Sequence, residues 1–122
     1  MLKTAAIIFG IAFLVSGVLG FVPAAAPKEM LFGIFHVNPA HNGVHLLSGA
    51  AALFTGMMST NAARMYFRVF GVVYGLVAAL GFYVGNAMLL GIVSNNMADV
   101  WLHVAVAAAS LALGFLVKDT NP

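Results

Sequence analysis

The sequence predicts an all-α integral membrane protein, with four transmembrane helices in one bundle built as a tandem parallel repeat of two helical hairpins. Three observations predict it: an apolar composition, four stretches long enough to span a bilayer, and a likeness between the two halves. The chain has 122 residues, 63% hydrophobic and 7% charged, with a mean hydropathy of +1.06. A soluble domain carries about 25% charged residues, so this chain has too little polar surface to stay in water. Its length fits one domain, residues 1–122. The net charge of +2 rests on few residues and gives no reason to expect nucleic acid as a partner. With no cysteine there is no disulfide framework, thiolate metal site or cysteine nucleophile.

The apolar stretches run from about Ala5 to Val22, Pro39 to Met58, Tyr66 to Val84 and Ala98 to Val117. Each holds roughly 18–20 residues, which at 1.5 Å per residue crosses about 30 Å of hydrocarbon. None alternates as a barrel strand would, so helices must satisfy the backbone. The first stretch, with Lys3 before it and "PAAA" after it, has the outline of a signal peptide. Its apolar run exceeds the usual 7–15 residues, and Pro27 would follow the cut at Ala26, so retention is expected. Pro23 should stop the first helix. Asn38-Pro39 reads as a cap with proline at the first helical position, and Asn95-Asn96 offers a cap before the fourth helix.

Basic residues set the orientation. Lys3, Arg64, Arg68 and Lys118 share one side with both termini, whereas Lys28, beside Glu29, is alone on the other. Both termini are therefore expected on the cytoplasmic side, with loops 23–37 and 85–95 facing outward. Trp101 and Tyr83 fit an outer aromatic belt. The apolar loops "KEMLFGIFHV" and "NAMLLGIVS" are expected to fold over the outer mouth of the bundle.

The repeat joins halves at about 5–58 and 66–117. "FGIAFLVSGVLGF" at 9–21 matches "FGVVYGLVAALGF" at 70–82. After the offset changes by three residues, Gly33-Ile34 matches Gly91-Ile92, Asn38 matches Asn96, and His45 matches His103. Two spans per half give both halves the same polarity, hence parallel repeats. Helices packing in lipid need small residues at their contacts. Gly71-x-x-x-Gly75, Ser16-x-x-x-Gly20, Ser48-x-x-x-Ala52 and Ala105-x-x-x-Ala109 supply them, within the bundle or at a homodimer interface.

The unusual residues are histidines. His41 and His45 are one turn apart on one helical face, and Asp99 and His103 repeat that spacing on the fourth helix. Ionisable groups inside spans face the bundle interior and mark function. Three readings follow. In a structural one, Asp99 serves the helix N-terminus and the histidines hydrogen-bond across the bundle. In the second, His41, His45, Asp99 and His103 form a metal site for zinc, copper or nickel. In the third, His45 and His103 are paired axial ligands of a haem, or hold a chlorophyll-type pigment. His36 reads as an interfacial residue, and the scattered methionines as lipid-facing.

The pattern Asn-Pro-x-His-Asn-x-x-His-Leu with a later glycine, here Asn38 to Gly49, is joined by Asn-x-x-Asp-x-x-x-His, here Asn96 to His103. Together they resemble a family of small bacterial four-span membrane proteins catalogued as a domain of unknown function. The resemblance covers almost the whole chain. It implies a four-helix membrane fold and no particular activity.

The function expected first is that of a small non-enzymatic membrane protein, an accessory or structural subunit that joins a larger complex or dimerises. The rival is a cofactor-binding module using the His/Asp cluster for electron transfer or metal handling. A zinc hydrolase is not expected, because Asp99 would have to serve as both ligand and base. A channel is not expected either, since four short helices enclose little space.

Overall fold

The computed structural model describes residues 1–120. It is mostly helical, with four α-helices: α1 (Leu2–Leu19), α2 (Pro39–Met58), α3 (Thr60–Val84) and α4 (Met97–Phe115). Three of them, α1, α3 and α4, are long and apolar enough to cross a membrane. The fourth, α2, is long enough at 20 residues. Its first two turns carry His41, Asn42 and His45, which dilute its apolar character.

Two boundaries differ from the sequence expectation. The linker expected before Tyr66 is helix instead, and Ser59 alone separates α2 from α3. The Ser59 hydroxyl accepts from the Ala62 amide at 3.0 Å, which caps α3 early. Ala62, Ala63, Arg64 and Met65 are then good helix formers. At the other end, α1 stops at Gly20 rather than running to Pro23. A Cβ on Gly20 would sit 1.9 Å from Asn42 Oδ1, so the α2 side chain fills that place.

The helices pack as two antiparallel pairs, α1 on α2 and α3 on α4, with α2 and α1 also touching α3. The direction follows from the contacts. Gly10 meets Leu53 and Gly49, Gly17 meets Leu46, and Gly56 meets Lys3 and Ala6. In the second pair, Gly71 meets Leu111, Gly81 meets Val100, and Gly114 meets Arg68. A Cβ on Gly10 would approach Leu53 N to 2.8 Å, so the two backbones are close enough to exclude any side chain there. Such contacts gain dispersion energy that lipid tails cannot match at that spot. Outward-facing Ile8, Leu47, Leu76 and Phe115 are exposed, as residues facing hydrocarbon would be.

At the end carrying both long connections, a 3₁₀ turn at Pro27–Glu29 leads into a short antiparallel hairpin. Its strands are β1 (Met30–Leu31) and β2 (Phe35–His36), with Met30 opposite His36. The segment between α3 and α4 makes a smaller version, with Leu89 paired to Val93. Phe32-Gly33 and Leu90-Gly91 both turn through positive φ, at 54° and 72° and at 53° and 73°. At the opposite end a cluster of Leu2, Ala6, Ala52, Ala63, Tyr66 and Phe67 is buried. There the Asp119 carboxylate accepts from Leu2 N at 3.0 Å, and Arg64 donates to the Asp119 carbonyl at 2.5 Å.

Candidate functional site

Two asparagines set up the site. Asn38 Oδ1 accepts from His41 N at 2.8 Å, and Asn96 Oδ1 accepts from Asp99 N at 2.9 Å. Each therefore caps its own helix. Each also reaches across to the other half. Asn38 Nδ2 donates to the Ile92 carbonyl at 3.0 Å, and Asn96 Nδ2 donates to the Ile34 carbonyl at 3.0 Å. One side chain thus starts a helix and ties it to the opposite connection, which fixes the starts of α2 and α4 against each other.

With the starts fixed, the first two turns of α2 and α4 bring three imidazoles together. His41, His45 and His103 are buried, and one ligand nitrogen from each lies within 4.8 Å of the others. Ring centroids are 4.5 Å apart for His41 and His45, 5.8 Å for His41 and His103, and 6.5 Å for His45 and His103. Two aromatic rings back the group. Phe13 and Tyr74 stack at 5.5 Å, with Phe13 5.6 Å from His45 and Tyr74 5.4 Å from His103. Tyr74 also shares a 2.7 Å hydrogen bond with Ser48 Oγ.

Hydrogen bonding settles one tautomer. Ser94 Oγ donates its single proton to the His36 carbonyl at 3.0 Å. Toward His41 Nδ1, 3.1 Å away, Ser94 can therefore only accept. The proton between them belongs to His41 Nδ1, and the neutral ring carries its lone pair on Nε2. That Nε2 is buried and has no hydrogen-bond partner; nor have His45 Nδ1, His45 Nε2 and His103 Nδ1. An unpartnered buried polar atom costs about 1–3 kcal/mol. Four such atoms are gathered on three neighbouring rings.

Asp99 does not join the three rings. Its Oδ2 accepts from Asn96 N at 3.0 Å, closing a capping box, so this carboxylate serves the N-terminus of its own helix. His36 is half-buried in β2 and contributes its carbonyl rather than its ring. Sequence reasoning missed Ser94 and Tyr74. The signal for Ser94 was present: the offset that pairs Asn38 with Asn96 pairs His36 with Ser94.

Two cavities flank the imidazoles. One, of about 320 Å³, lies between α2 and α3, with His41 and His103 in its wall and an otherwise largely apolar lining that includes Val44, Val73 and Val77. The other, of about 270 Å³, lies between α1 and α4, with His45 in its wall beside Phe9, Phe13 and Leu102.

Compared with known families, residues 3–116 match the sequence profile of a family described as Domain of unknown function (DUF4383). No curated protein and no solved structure gives a match.

Proposed function

This chain belongs to the DUF4383 family, and we propose that it is a non-enzymatic integral membrane protein that holds a transition-metal ion on His41, His45 and His103. One observation carries the reading: three buried imidazoles whose ligand atoms lie within 4.8 Å of one another, four of their nitrogens lacking any partner. A purely structural triad would use those nitrogens in hydrogen bonds. Three histidines suit zinc or copper, and zinc–nitrogen bonds of about 2.0–2.1 Å put tetrahedral ligands about 3.3 Å apart. Binding would draw the ligand atoms in from within 4.8 Å to that separation. The Ser94 hydroxyl is the outer partner that a metal-bound histidine commonly has, holding His41 in the tautomer that offers Nε2. A haem or chlorophyll-type ring between His45 and His103 is less well supported, because His41 stands 4.5 Å from one and 5.8 Å from the other, where a flat macrocycle would extend.

The membrane arrangement proposed with it is a four-span bundle, a tandem of two parallel hairpin repeats. The reciprocal asparagine bonds and the matched Phe32-Gly33 and Leu90-Gly91 turns support the repeat. The distribution of Lys3, Arg64, Arg68 and Lys118 supports a bacterial inner membrane orientation with cytoplasmic termini and the imidazoles toward the outer face. In this setting the ion serves metal handling or electron transfer for a larger membrane complex or a homodimer.

The test is elemental analysis and metal titration of untagged protein in mild detergent, with its absorption spectrum recorded. One zinc or copper ion per chain, lost in His45→Ala and retained in His36→Ala, is the expected result. A sample that neither retains nor takes up metal near one equivalent would overturn the reading, and a Soret or chlorophyll band would replace it with the pigment alternative.

A further inference from the structure

We infer that the fourth ligand of this metal ion is the carboxylate of an aliphatic fatty acid, entering through the cavity between α2 and α3; the inference rests on the metal reading above. Three neutral imidazoles leave a divalent ion with both its charges, in surroundings where an uncompensated ion is costly. The chain has only three acidic residues. Glu29 is exposed in the 3₁₀ turn. Asp119 lies at the opposite end, bonded to Leu2 N. Asp99 is held in its capping box. None of the three is grouped with the imidazoles, so an anion from outside would complete the shell of the ion.

The route is read from the walls. The α2–α3 cavity adjoins two of the three imidazoles, His41 and His103, whereas the α1–α4 cavity adjoins only His45. Its volume of about 320 Å³ is at the low end of the roughly 300–1,000 Å³ range of small-molecule sites. Exposed Leu47 and Val73 on the helices and exposed Leu90 in the α3–α4 connection are among its lining residues, so its mouth is apolar. Its two hydroxyls, Ser48 and Tyr74, are bonded to each other at 2.7 Å. That bond uses one of their two protons, and the other is left to donate to an oxygen bound at the ion. An apolar tunnel ending at a cation fits an apolar chain ending in one negative charge.

The experiment uses the full chain, loaded with cobalt(II), in nanodiscs of phosphatidylcholine. The visible cobalt absorption reports the ligand set. Decanoate, acetate and decanol are titrated in turn against wild type and against Val73→Trp, which enlarges a side chain in the cavity lining. Decanoate is expected to shift the band at a concentration at least tenfold below acetate, and decanol not to shift it. Val73→Trp is expected to raise the decanoate requirement at least tenfold and to leave cobalt affinity and the acetate response unchanged. This arm separates cavity binding from simple enrichment of decanoate in the bilayer. Equal potency of decanoate and acetate, a decanol shift, no shift with any of them, or an unaffected Val73→Trp variant would overturn the inference while leaving the metal site standing. Failure to form any cobalt band would remove both.

Discussion

Replacing Ser94 with alanine tests the least obvious part of the site, because Ser94 touches no metal and lies outside every helix. Its hydroxyl lies 3.1 Å from His41 Nδ1, and its own proton goes to the His36 carbonyl. Ser94→Ala removes an acceptor that favours this tautomer, so His41 is free to protonate Nε2 instead, and a ring so protonated cannot ligate through Nε2. Loss of such an outer partner typically costs 10–100-fold in metal affinity, about 1.4–2.8 kcal/mol. The assay is competition for zinc between the protein in detergent and a chromophoric chelator. Thr55→Ala is the control, since Thr55 bonds only the Ala51 and Ala52 carbonyls of its own helix. Wild-type affinity, within twofold, in Ser94→Ala would refute the tautomer argument and leave His41 as a bystander.

Two further expectations concern stability. Gly10→Ala places a Cβ 2.8 Å from Leu53 N and 2.9 Å from Gly49 O, and the forced separation should cost about 1–3 kcal/mol. Gly43→Ala meets nothing within 4 Å and should be neutral or slightly stabilising; unfolding in mixed micelles of mild detergent and dodecyl sulfate distinguishes the pair, and equal curves would contradict the packing. Asp99→Ala loses the capping-box bond to Asn96 N and should cost about 0.5–2 kcal/mol. His36→Ala keeps the carbonyl that Ser94 uses, so it should cost less; equal thermal stability of the two variants would count against that ranking.

How much of this was legible in sequence differs by residue. The caps were, because Asn38-Pro39 and Asn96 act on backbone within three residues and such local chemistry needs no fold. The pairing of His41 with His45 was also legible, since helical periodicity alone puts them on one face. The start of α3 was not, because the apolar run begins at Tyr66 while Ser59 and the polar residues after it extend the helix outward without adding hydropathy. Asp99 illustrates the limit most clearly. Its spacing from His103 equals that of a ligand pair, yet its carboxylate turns to Asn96, because the first turn of a helix has free amides and the nearest acceptor takes them.

The sequence by itself determined that this protein is helical, that most of it is apolar enough for a bilayer, that two of its helices start at asparagines, and that its histidines lie near those starts. These are properties of composition and of neighbours within one helical turn. Only the tertiary structure decided that His103 meets His41 and His45, that Ser94 bridges His36 to His41, and that Asp99 stays out. Each of those depends on contacts between residues more than fifty positions apart or on competition for a single acceptor. Chain spacing carries no distance information across such separations, and the packing of α1 on α2 and of α3 on α4 supplies it.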